Sequence, residues 1–379
     1  MINNERVKNI LIIKLSSIGD CLLATPAIES IRKGYPDSFI TWLIEGKSKD
    51  IALLNPYVDE VIVIDKKNFK IRDYLSLIKK LRSRRYDLSI DLQGVDRTSI
   101  FAFLSGAKIR YVEEYADLGF LSNKKIIRRG RPLEHAVDFY LFLAENCGGK
   151  KISDTTLTLI ASDEDKKFAD DFLRKNFGNP VNQDKSRGDP RSANNIIFVG
   201  INPTGAWKTK RWPVKYFIEL SKRLILSLNA NIVIFGGKGD EYFAQEILKE
   251  VDSDKIKSAI SKTSLKQAKE LLGKMNYFIT PDSGLMHIAS SITGLKTIAL
   301  FGSTDPKLTG PVGKNNVILR DNLYCIPCFK KECPLNKIEN KNLRECVLCM
   351  KRITPDKVFN EISKDIKAQK QYIYNTFNY

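Results

Sequence analysis

Short β-branched runs alternate with amphipathic stretches of helical period, in two successive blocks of the chain. Residues 9–14, 39–44, 61–64 and 88–91 read as strands in the first block, and residues 196–202, 231–235, 277–280 and 297–301 in the second. Between strands lie stretches such as residues 71–85, where Ile71, Tyr74, Leu75, Ile78 and Leu81 share one helical face. Alternation of this kind calls for a parallel sheet covered by helices on both sides. A chain of 379 residues has length for about two such domains.

The break between blocks is legible in composition. The pattern weakens after residue 150, and "GNPVNQDKSRGDPRSANN", from Gly178 to Asn195, is polar with no apolar period. It reads as a loop or interdomain linker. The expected organisation is α/β throughout: a first domain over residues 1–178, a linker over 179–195, and a second domain over 196–354. A helix over residues 355–368 and an aromatic tail should end the chain.

No apolar run approaches the ~18 residues of a membrane-spanning helix. The short run from Ile10 to Ile13 reads as a first strand rather than a signal peptide. A cytoplasmic protein is therefore expected, its seven cysteines thiols or metal ligands rather than disulfides. With 62 Lys and Arg against 44 Asp and Glu, the net charge is +18. That favours an anionic partner, whether nucleic acid, membrane surface or phosphorylated substrate, or reflects a solvated basic surface. Nine basic residues and one acidic crowd residues 66–85, and "KKIIRRGR" (Lys124 to Arg131) adds five more. No nucleic-acid-binding module is present and the aromatics do not cluster with these runs, so nucleic acid is not the expected partner.

In parallel α/β folds ligands bind beyond the carboxyl ends of the strands, a rule that selects four stretches. "LIIKLSSIGDCLLATPAI" (Leu11 to Ile28) turns through Ser16, Ser17 and Gly19 and places Asp20 where dinucleotide folds carry glycine for a phosphate. Asp20 could cap the helix, but Thr25-Pro26 offers another helix start, which leaves the carboxylate open to catalysis. "INPTGAWKTKRWP" (Ile201 to Pro213) gathers Thr204, Gly205, Lys208 and Lys210 after a strand, a set suited to a diphosphate or simply a basic loop. "TPDSGLMHIAS" (Thr280 to Ser290) opens a helix at Asp282, Ser283 and Gly284 and carries Leu285 and His287. Exposed amides there favour an anion, though Asp282 could be only a cap and His287 a core residue. "FGGKGDEYFAQ" (Phe235 to Gln245) sets Glu241 at a helix start, where a carboxylate can grip ribose hydroxyls.

Taken together, "KLSSIGDCLLATPAI", "KTKRWP" and above all "DSGLMHIASSITGLKTIALFGSTDPKLTGPVG" (Asp282 to Gly313) resemble glycosyltransferase family 9, the heptosyltransferases of lipopolysaccharide assembly. The resemblance implies a GT-B fold, two Rossmann-like domains facing across a cleft. It implies inverting, metal-independent transfer with no cofactor, from a nucleotide sugar, typically ADP-heptose, to an anionic lipid A–core oligosaccharide at the inner membrane surface. Another nucleotide sugar serving a different surface glycan is the alternative. Carried over by motif, Asp20 is the general base in an acceptor-side loop with Ser16, Ser17 and Gly19. Lys210 is the cation on the leaving diphosphate, beside Thr204 and Gly205. Glu241 holds the ribose, while Asp282, Ser283, Gly284, Leu285 and His287 close over donor phosphate and sugar. The chain has Asp-Ser-Gly where the family usually has Asp-Thr-Gly, which keeps the hydroxyl.

One feature has no place in that chemistry. Cys325, Cys328, Cys346 and Cys349 have the spacing of a zinc ribbon, with Cys333 between the pairs. A structural zinc and plain thiols are both compatible with it.

Overall fold

The structure, a computed structural model, describes residues 7–65, 70–130, 132, 134–178, 196–334 and 347–377. It divides into two compact units, 1–160 and 161–379.

The first unit holds strands β1 (Asn9–Ile13), β2 (Phe39–Glu45), β3 (Glu60–Ile64), β4 (Leu88–Asp91), β5 (Ile109–Glu113) and β6 (Lys124–Ile126). Helices α1 (Ile18–Leu23), α2 (Thr25–Gly34), α3 (Lys49–Leu53), α4 (Ile71–Ser83), α5 (Asp96–Leu104) and α6 (Ala136–Asn146) accompany them. The sheet order is β3-β2-β1-β4-β5-β6 and every pairing is parallel. Because β2 lies on one side of β1 and β4 on the other, the strand order reverses between β1 and β4. Four consecutive residues of β1, from Ile10 to Ile13, are fully buried, as a central parallel strand covered on both faces must be.

The second unit begins with α7 (Asp163–Phe177) and continues through β7 (Phe198–Ile201), α8 (Val214–Leu228), β8 (Asn231–Ile234), α9 (Glu241–Val251), β9 (Ile256–Ser258) and α10 (Leu265–Leu272). It ends with β10 (Tyr277–Pro281), α11 (Gly284–Ser290), β11 (Lys296–Phe301), α12 (Pro306–Thr309), β12 (Asn316–Arg320), α13 (Leu348–Lys351) and α14 (Pro355–Phe377). Its sheet, β12-β11-β10-β7-β8-β9, is again parallel and reverses between β7 and β10. Trp212 anchors the core: its ring meets Phe217 edge-on at 4.7 Å and its indole N–H donates to the Ile353 carbonyl at 2.6 Å.

Three expectations need correction. The first domain does not run to residue 178. α7 belongs to the second unit, where Asp170 pairs with Lys274 and Phe177 packs edge-on against Phe198 at 5.6 Å. The linker at 179–195 lies outside the described residues. The final helix extends to Phe377, through what was expected to be a tail.

The third concerns α4. Its buried residues are Leu77 and Leu81, whereas Ile71 and Leu75 are 82% and 63% exposed. Tyr74 also lies on the exposed side, stacked 6.3 Å from Phe101. Periodicity found the helix, and of the five residues it put on one face Leu81 is buried and Ile78 half-buried, whereas the amino-terminal Ile71 and Leu75 lie in the open.

Candidate active site

Parallel pairing places all carboxyl ends of the strands on one edge of each sheet. The four stretches singled out by sequence follow β1, β7, β8 and β10. Two of the resulting clusters sit where the strand order reverses, the position at which open α/β sheets bind ligands.

In the first unit the chain leaves β1 through Lys14, which is buried although charged. Its ammonium donates to the Tyr140 hydroxyl at 2.8 Å and lies 4.7 Å from that ring. Burial works to lower the lysine's pKa, but Tyr140 and the nearby Asp20 carboxylate outweigh it and raise it, so Lys14 stays protonated. Burial pushes the neighbouring Cys21 thiol up to about 12, which leaves it inert. The turn then runs through half-buried Ser16 and exposed Ser17 into α1, whose second residue is the half-buried Gly19.

Asp20 is the third residue of α1, with Ser17 in the N-cap position. Its Oδ2 accepts the Ser17 amide at 3.1 Å and the Ser17 hydroxyl at 2.7 Å. Its Oδ1 has no hydrogen-bond partner among the described residues. Structural support and an available oxygen thus coexist in one carboxylate. Thr25 does not cap α2; Ala24 holds that position, and the Thr25 hydroxyl donates to the Leu22 carbonyl at 2.8 Å.

A residue that sequence reasoning passed over fixes this turn. Gln93 follows β4, and its Oε1 accepts the amides of Leu15 at 2.8 Å and Ser16 at 3.1 Å. Gln93 is itself held by Asp91, whose Oδ1 accepts the amides of Gln93 and Gly94 at 2.9 and 3.0 Å. Gly94 has φ +67°, a left-handed turn that suits glycine. Asp91 is buried, and burial raises its pKa against the pull of those amides.

In the second unit Asn202, also unflagged by sequence, is the hub. Its Oδ1 accepts from the Thr204 amide at 3.1 Å and the Thr204 hydroxyl at 2.8 Å. Its amide nitrogen donates to Thr280 and Ser283, each at 3.0 Å. This ties the end of β7 to the end of β10. Ser283 caps α11, its hydroxyl accepting the Met286 amide at 3.3 Å.

Lys210 closes the cluster. Its ammonium pairs with Asp282 at 2.7 Å and lies 4.7 Å from the Trp207 ring, and Asp282 also accepts from Thr304 at 2.8 Å. Gly205 lies under Lys210: a Cβ there would meet the Lys210 Cβ at 3.6 Å and the Arg211 Cγ at 3.4 Å. The structure therefore brings Thr204, Gly205, Lys210, Asp282, Ser283 and Gly284 together. Lys208 points to solvent, Leu285 is half-buried and His287 is buried within α11. Glu241 opens α9 from the turn after β8, fully exposed and hydrogen-bonded by the Ser261 hydroxyl, which with nearby backbone amides holds its carboxyl below the usual range.

Behind the Lys210 segment lie the cysteines. The Thr209 hydroxyl donates to the Lys330 carbonyl at 2.5 Å, and Ser303 bridges Thr209 to the amides of Cys328 and Phe329. Cys325, Cys328, Cys333 and Cys349 line one small cavity there, and burial raises the Cys349 thiol to about 11. Among the described residues no three His, Cys, Asp or Glu side chains are placed to hold a metal ion. Cys346 lies outside those residues.

Two Rossmann-like units, each a six-stranded parallel sheet with flanking helices, make up the architecture of the GT-B fold. The family model for glycosyltransferase family 9 (heptosyltransferase) matches residues 74–339, well over half of the chain. The chain belongs to that family, and is a transferase of the heptosyltransferase group that builds lipopolysaccharide cores. It is 30% identical over 353 residues to lipooligosaccharide heptosyltransferase 2 of Campylobacter jejuni subsp. jejuni serotype O:6, covering 92% of this chain and 96% of that one. Its fold is similar to a family 9 glycosyltransferase from Veillonella parvula, with TM-score 0.76, 26% identity and coverage of 95% and 97%. It is likewise similar to the Escherichia coli heptosyltransferase WaaC with ADP, with TM-score 0.66, 19% identity and coverage of 94% and 99%.

Proposed function

We propose that this protein transfers a heptosyl residue from ADP-heptose to a lipid A–core oligosaccharide, with inversion at the anomeric carbon and without a metal ion. The observation that carries the reading is the β7/β10 cluster. Thr204, Lys210 and Ser283 are drawn together there by Asn202 and Asp282, at the reversal point where a nucleotide would sit. The solved relative with ADP supplies the choice of nucleotide.

Each residue then has a task. Asp20 Oδ1 takes the proton of the acceptor hydroxyl as its oxygen attacks the anomeric carbon, and the bond from that carbon to the diphosphate breaks. Lys210 and the Ser283 hydroxyl receive the charge that develops on the departing phosphate, joined by the Thr204 hydroxyl once its proton turns from Asn202 Oδ1 to the phosphate. A well-placed general base contributes roughly 10²–10⁴ in rate, and a donor aimed at developing charge about 2.7–4 kcal/mol. Lys210 meets the diphosphate while paired with Asp282, so its charge is partly compensated before the donor arrives. Glu241, with its ionised carboxylate, suits the ribose hydroxyls. The acceptor is anionic and membrane-borne. The exposed Ile71 and Leu75 on α4, flanked by Arg72 and Lys79, form a basic and apolar face suited to lie on an anionic bilayer.

A thermal-shift panel of ADP, UDP, GDP and NAD tests the donor site. A ligand at 100 times its dissociation constant adds about 2.7 kcal/mol to the folded state. ADP should give the largest shift, EDTA should not reduce it, and Lys210→Ala should reduce it far more than Lys208→Ala. A larger shift with UDP or GDP would replace the donor. Equal losses from the two lysine variants would remove Lys210 from its role.

A further inference from the structure

We infer that Gln93 is a positioning residue for the transfer reaction, acting through its side-chain oxygen on the turn that carries Asp20. The inference rests on Asp20 as the general base. The amides of residues 15, 16 and 17 follow one another out of β1, and each is bound by a side chain rather than by a strand. Leu15 and Ser16 donate to Gln93 Oε1, and Ser17 donates to Asp20 Oδ2. A single oxygen thus fixes the two peptide units immediately before the Ser17–Asp20 contact.

The direction of dependence is set by what holds Gln93. Asp91 ends β4 in register with Ile13 of β1, is 2% exposed, and accepts the backbone amides of Gln93 and Gly94. Buried strand, buried carboxylate, turn, amide oxygen and catalytic turn therefore form one connected series across the β1/β4 reversal point. The amide's orientation is defined as well. Two N–H donors converge on one end of the side chain, which must be the oxygen, since the NH2 end cannot accept. The NH2 end has no partner among the described residues, so the oxygen alone carries the positioning role.

A residue of this kind should affect the chemical step more than donor binding. Displacement of a catalytic group by about 1 Å can cost roughly 10² in rate. Gln93→Leu keeps the size and removes the acceptor oxygen, whereas Gln93→Glu keeps an oxygen at the same reach for the same two amides. The test measures steady-state transfer from ADP-heptose to a lipid A–core acceptor, calorimetric ADP binding, and amide hydrogen exchange of the segment containing Leu15 and Ser16. Gln93→Leu should lower kcat by roughly 10–10², speed exchange in that segment and leave ADP affinity and donor KM unchanged. Gln93→Glu should restore most of kcat and the slow exchange.

Wild-type kcat in Gln93→Leu would overturn the inference, as would a Gln93→Glu variant as impaired as Gln93→Leu. So would a loss confined to donor KM. Absence of transfer by the wild-type chain would instead overturn the function reading, and this inference with it, so the two failures are distinguishable.

Discussion

Asp20 binds Ser17 through one oxygen and leaves the other without a partner among the described residues, so its structural and chemical duties can be separated by substitution. In Asp20→Asn the side-chain oxygen can still accept from Ser17, and the loss of a carboxylate from the first turn of α1 costs only about 0.3–1 kcal/mol. An amide cannot take the acceptor's proton. Transfer should therefore fall by roughly 10²–10⁴ while the melting temperature drops by no more than about a few degrees and calorimetric ADP affinity stays at the wild-type value. Near-normal turnover would reduce Asp20 to its contact with Ser17. Asp20 could be singled out from sequence because a carboxylate replaces glycine in a recognisable place. Gln93 and Asn202 could not. Each acts on a partner remote in sequence, 78 positions away for Leu15 with Gln93 and for Asn202 with Thr280. An amide side chain gives no local sign of which backbone it will meet.

Among the elements, the central strands were the most legible, since β1, β2, β7, β8, β10 and β11 are mainly apolar, β4 alternates Leu88 and Ile90 with polar residues, and all are bounded by turns. The strands β5, β6, β9 and β12 were not. They are outer strands such as "IRYVE", "KKI" and "IKS", in which charged residues break up or shorten the apolar run, or "NVILR", where it is only three residues long. Ends of elements are held by specific charges, and one of these predicts a pH dependence. Asp87 lies at the amino end of the first sheet, accepting the amides of Lys8 and Asn9 and pairing with Lys108 at 2.7 Å beside β5. Burial works to raise its pKa, but Lys108 and the two amides outweigh burial and hold it below the ordinary value of about 3.9. A carboxyl whose folded pKa is lowered stabilises fully above its unfolded pKa, and that contribution disappears as pH falls through the folded one. Thermal melts should therefore lose stability as the pH drops below about 4. Asp87→Asn should start less stable at neutral pH and lose less on acidification. An identical acid slope in both proteins would remove Asp87 from this role.

On the scale of the whole molecule, a net charge of +18 becomes intelligible if the acceptor is an anionic glycolipid in a membrane. No helix among the described residues is long and apolar enough to cross a bilayer. The protein should sediment with vesicles containing anionic lipid, less with neutral vesicles, and less as salt rises. Ile71→Asn with Leu75→Asn should weaken that binding without changing ADP affinity; undiminished binding would exclude α4 as the contact. The reaction itself is open to one direct measurement. Purified protein is given ADP-heptose and a lipid A–core acceptor in the presence of EDTA, and acceptor mass is followed together with ADP release. One heptosyl residue should be gained for each ADP released. No gain in acceptor mass, or a gain that requires a divalent cation or a different nucleotide sugar, would contradict it.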